Sequence, residues 1–61
     1  MKTQIVNLGL NQTHVNKTNK TQIVVIKYLN NFGDYQERAE LLKPNQSFTR
    51  FQPLNRVRIV I

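Results

Sequence analysis

The chain reads as an all-β fold, and three features carry that expectation. β-Branched and aromatic residues gather in short runs, polar turn formers separate the runs at spacings of about ten residues, and no segment sustains a helical period for more than about two turns. The expected architecture is a small five-stranded antiparallel sandwich or barrel, a single β domain over residues 1–61. A short helix at 35–42 is the open alternative within it.

Residues 3–10 place Ile5 with Val6, then Leu8 with Leu10, near alternation, with an irregularity expected at Gly9. Residues 11–19 are almost wholly polar and predict an exposed loop with one or two extended residues around Val15. Residues 20–29 hold the run Ile23-Val24-Val25-Ile26, apolar toward both faces and free of Gly and Pro, and predict the central strand. Lys2-Thr3-Gln4-Ile5-Val6 recurs as Lys20-Thr21-Gln22-Ile23-Val24 at an offset of 18 residues, so the two segments are expected to play equivalent roles as paired strands.

Asn30-Asn31-Phe32-Gly33-Asp34 is the clearest turn, because Asn and Gly accept positive φ. Beyond it, Asp34 and Glu37 form a D-x-x-E arrangement that would cap a helix, whereas Arg38-Ala39-Glu40-Leu41 alternates as a strand does. Pro44-Asn45 breaks the segment, and residues 47–52 predict a short strand closed by Pro53. In the last segment Val57, Ile59 and Ile61 share one face, expected to be buried in the core or in an assembly, while Arg56, Arg58 and Val60 share the other.

A chain of 61 residues with 39% hydrophobic content and no cysteine builds a small core without a disulfide or thiolate cluster, so support from a protein partner or from oligomerisation is expected. Nine Lys and Arg oppose three acids, a net charge of +6, which draws the chain toward polyanions or acidic protein surfaces. All three acids, Asp34, Glu37 and Glu40, fall in one stretch, leaving residues 1–33 and 41–61 purely cationic. Lys27, Arg50, Arg56 and Arg58 are the residues expected to meet an anionic partner. Phe48-Thr49-Arg50-Phe51 and Lys27-Tyr28 interleave cations with aromatics, the combination that binds single-stranded nucleic acid by stacking beside a charged groove.

Catalysis needs a convergent set of side chains, and the inventory is thin. His14 is the one histidine and reads as a solvated loop residue; Ser47 is the one serine and reads as a turn residue. The three acids read as a solvated cluster, and neither glycine belongs to a phosphate-cradling motif. No catalytic, cofactor-binding or metal-ligating residue is therefore expected, nor a small-molecule substrate. The N-terminal segment alternates where a signal peptide would be continuously apolar, and the longest apolar run is far shorter than the ~20 residues of a membrane span. A cytoplasmic location, or assembly into a virion, is expected. Four Asn-x-Ser/Thr triplets, at Asn11, Asn16, Asn19 and Asn45, reflect a composition with 14 Asn and Gln.

The stretch Leu42-Lys43-Pro44-Asn45-Gln46-Ser47-Phe48, followed by the alternating Arg56-Val57-Arg58-Ile59-Val60-Ile61, resembles the L-x-P-G-x-S, strand, turn, alternating-strand ending of small phage and viral β-sandwich structural proteins. It covers about a third of the chain, with Asn45 in place of the usual Gly, a change that left-handed backbone tolerates. The resemblance implies a structural role as a minor virion or phage-particle component, and carries over no site. The alternatives from other classes are a sequence-tolerant single-stranded nucleic-acid binder and a phage-encoded inhibitor that uses the three acids as a phosphate mimic.

Overall fold

Steric preference for extended backbone is strongest at Ile23-Val24-Val25-Ile26, and in the computed structural model, which describes residues 3–61, this run forms the middle of the longest internal strand. Six strands follow one another: β1 (Ile5–Leu8), β2 (Thr13–Val15), β3 (Gln22–Leu29), β4 (Tyr35–Leu42), β5 (Ser47–Thr49) and β6 (Arg56–Val60). They form two antiparallel sheets, one in the order β1-β6-β3-β4 and a ribbon of β2 with β5. The pairings β3 with β4, β2 with β5 and β1 with β6 are nested, as in one long hairpin folded back so that β6 also pairs with β3.

The all-β expectation holds, and its finer terms are corrected. There is a sixth strand, β2, in the polar loop, where Thr13, His14 and Val15 pair with Thr49, Phe48 and Ser47. Three residues are too few to show a hydrophobic period. Among the described residues no barrel closes, since β4 and β1 each end the larger sheet. No helix forms there either, and residues 35–42 are β4, paired along its whole length with β3. Two helical turns would have left the β3 edge bare, whereas the strand pairs that edge along its whole length. The hairpin between them is tied by Asn30, whose side-chain oxygen accepts from the amides of Phe32 and Asp34, and Gly33 supplies the left-handed residue at φ 83°.

The repeated pentapeptide starts at Lys2, outside the described residues, and the rest of it does have equivalent roles, though the two copies do not pair with each other. β6 lies between them, and residues 18 apart meet the same β6 partner: Ile5 and Ile23 face Val60, Val6 and Val24 face Ile59, Leu8 and Ile26 face Val57. The buried core is Leu8, Val24, Ile26, Leu42, Val57 and Ile59, against which Val6 and Phe48 pack. Val57 and Ile59 are thus buried as expected, but Ile61 is 44% exposed. Its amide donates to the Gln4 carbonyl and its row continues into Gln4 and Gln22, polar neighbours that build no apolar cover around it.

Candidate interaction surface

Strict alternation divides the larger sheet into two faces. The inner face carries the core residues, and Arg38 and Glu40 prolong its rows onto β4, where they form an exposed ion pair at 3.3 Å. The outer face is different. Its first row runs across all four strands as Ile5, Val60, Ile23 and Leu41, apolar throughout, with Ile5, Ile23 and Leu41 exposed. The second row is Asn7, Arg58, Val25 and Ala39; the third is Arg56, Lys27 and Glu37; Leu29 and Tyr35 follow. An apolar band and a charged band therefore lie side by side on one sheet face.

Of the four cations expected to meet an anionic partner, the fold brings Lys27, Arg56 and Arg58 together here. Arg58 is engaged with Glu37 at 2.6 Å, and the Lys27 ammonium lies 5.2 Å from the centre of the Tyr35 ring. Arg56 joins Lys27, Tyr35, Pro53 and Leu54 around a shallow groove. Arg50 lies elsewhere and is tied into the fold: its Nε donates to the Asn55 carbonyl at 2.8 Å, and its two terminal nitrogens donate to Leu8 and Pro53 carbonyls. This half-buried guanidinium ties the β5–β6 connection to the end of β1 and commits three of its five N–H donors to the fold.

The interleaving read from the sequence survives in part, since Phe48, Arg50 and Phe51 line one pocket together with Arg38. Phe48 turns to the core while Phe51 is exposed, and alternation sends Lys27 and Tyr28 to opposite faces. Tyr35 supplies the aromatic beside Lys27 instead, a contact between adjacent strands that no linear spacing announces. The acids also part, with Glu37 on the outer face against Arg58 and Glu40 on the inner face against Arg38. His14 is not a free loop residue: it lies half-buried in β2 with Nε2 2.7 Å from Oε1 of the buried Gln22. Among the described residues no three His, Cys, Asp or Glu gather as a metal site, and no helix is long and apolar enough to cross a membrane.

Asn16, read as one polar residue among many, is fully buried and makes four bonds. Its amide nitrogen donates to the carbonyls of Lys20 and Leu42, both at 2.8 Å, and its oxygen accepts from the Thr18 amide and hydroxyl. Its own amide and carbonyl bond Gln46 and Asn45, so one side chain and one peptide join the 16–20 loop, the end of β4 and the Pro44-Asn45 turn. Comparison with protein-family models, curated proteins and solved structures returned no match.

Proposed function

We propose that this chain is a small basic structural protein that acts by assembly, packing the outer face of its larger sheet against the same face of another copy. The observation that carries the reading is the unbroken apolar row Ile5-Val60-Ile23-Leu41, exposed at Ile5, Ile23 and Leu41 on a face that no strand among the described residues covers. The charge layout favours a second copy as occupant. Lys27, Arg56 and Arg58 all lie to one side of the row, so a two-fold axis through it turns the cations of the two copies to opposite ends. Nested strand pairing is the wiring of rolled antiparallel folds with many functions, so the surface rather than the fold supports the reading.

The reading extends to a minor component of a viral or phage particle, through the resemblance of the C-terminal third. Asn45 supports it by holding φ 68°, the left-handed backbone that the Gly of that pattern would take. Sedimentation velocity over a concentration series tests the assembly: particles larger than the 7.2 kDa monomer are expected, growing with concentration, and smaller ones for Ile5→Lys with Ile23→Lys. A chain that stays monomeric at every concentration contradicts it.

A second reading, single-stranded nucleic-acid binding, is favoured by the groove that joins Lys27 and Arg56 to the exposed Tyr35 ring. Fluorescence anisotropy with a labelled oligonucleotide decides it. Binding that weakens steeply with salt and is lost in Tyr35→Ala supports it, and absence of binding in low salt removes it.

A further inference from the structure

The β4 strand is the long free edge of the larger sheet, and Tyr35 to Leu41 are exposed along all of it. Its backbone direction follows from the hairpin. The Asn30 amide donates to the Asp34 carbonyl, which makes that couple a hydrogen-bonded pair, and antiparallel pairs alternate. Gln36, Arg38, Glu40 and Leu42 therefore turn their peptide groups toward β3. Tyr35, Glu37, Ala39 and Leu41 turn theirs outward, four amides and four carbonyls with no strand beyond. The same alternation reaches the far side of the sheet, where the Ile61 amide donates to Gln4.

We infer that this edge binds the same edge of a second copy, antiparallel about a two-fold axis through Ala39, joining the two larger sheets into one. Two constraints select this register. Only outward-facing residues can bond one another, so the two numbers of each facing couple must sum to an even value. Three registers centre on the strand. With Arg38 at the axis, arginine faces arginine; with Glu40 at the axis, glutamate faces glutamate. With Ala39 at the axis, Arg38 of each copy faces Glu40 of the other, on the same sheet face.

Those couples are of the non-hydrogen-bonded kind, in which side chains approach most closely. They would complete a square of alternating charge with the Arg38–Glu40 contact already present in each chain. Glu37 then bonds Leu41 of the second copy through the backbone, Ala39 bonds its own equivalent, and the overlap stops at Lys43, whose amide already donates to the Gln46 side chain at 3.0 Å. Edge strands commonly carry charge to prevent pairing. Here the same charges forbid the two neighbouring registers and permit the central one.

The proposal rests on the assembly reading but uses a different surface, so the two are separable. Two distinct two-fold contacts carry the chain beyond a dimer. Sedimentation equilibrium with single and mixed variants tests this. Arg38→Glu sets glutamate against Glu40 of its partner, and Glu40→Arg sets arginine against arginine, so each alone should weaken edge pairing at least about tenfold. An equimolar mixture of the two variants restores opposite charges at both couples and should regain the larger species. Hydrogen exchange in the mixture should slow at Glu37, Ala39 and Leu41.

Intrachain loss of the Arg38–Glu40 contact cannot produce recovery on mixing. Unchanged association in both single variants, or no recovery on mixing, overturns the edge contact. If those variants still associate while Ile5→Lys with Ile23→Lys does not, the outer-face reading stands and the edge proposal falls. The converse pattern keeps the edge and removes the outer face, and a monomeric wild type removes both.

Discussion

The two faces of the larger sheet are built from the same four strands and are nearly equal in apolar content, yet one is a core and the other is a surface. Ile59 sits between Val6 and Val24 on the inner face and is 0% exposed, whereas Ile23 sits between Val60 and Leu41 on the outer face and is 41% exposed. Side-chain chemistry does not separate these two isoleucines. The difference is cover: the β2–β5 ribbon lays Phe48 on the inner face, and among the described residues no strand crosses the outer one. Burial in this fold is decided by topology, and the face left over is where a partner gains the most apolar area.

The largest expected effect breaks the inner face. Ile59→Ala removes about 2–5 kcal/mol from a domain whose whole stability is about 3–5 kcal/mol, and circular dichroism should find it largely unfolded at room temperature. Ile23→Ala on the outer face should shift the melt by only a few degrees. Equal loss in the two would erase the distinction between the faces.

Asn16→Ala comes next, since it removes four side-chain hydrogen bonds, one of them buried, at about 1–3 kcal/mol by urea midpoint. Asn16→Asp should not rescue it, because a carboxylate accepts from Thr18 but cannot donate to Lys20 and Leu42. Arg50→Ala should cost about 1–2 kcal/mol through its carbonyl bonds, and Arg50→Lys, with one nitrogen in place of three, should recover only part. The smallest effect belongs to Arg56→Ala with Arg58→Ala, within about 0.5 kcal/mol, as expected of exposed cations whose one ion pair is half-solvated. A large loss there would mean that the outer face contributes to the fold.

Period and turn chemistry made much of this legible in the sequence. β3 was visible in its β-branched run, the Asn30-to-Asp34 turn in its Asn and Gly, and the burial of Val57 and Ile59 in their alternation. Strand partners were not legible, because pairing is set by where the chain returns. For that reason the repeat predicts two copies paired with each other when both pair with β6, and alternation cannot foresee that Ile61 lies exposed between Gln4 and Gln22 at the end of the sheet.

The surface was half legible by the same logic. Arg56 and Arg58 share a face by parity, but parity is blind to the register that sets Lys27 beside Arg56, to the carbonyls that gather around Arg50 and to the approach of Tyr35 to Lys27. Asn16 had a local signal in Thr18, two residues on, where an Asx turn would bond it. Its two donors go to Lys20 and Leu42, and the second of these is 26 residues away.

The most direct test of the comparison is radical footprinting read by mass spectrometry in dilute and in concentrated solution. Ile5, Ile23 and Leu41 should label readily when the protein is dilute and become protected when it is concentrated, while Val24 and Ile59 stay unlabelled in both. Equal labelling of the outer row at both concentrations would contradict the account.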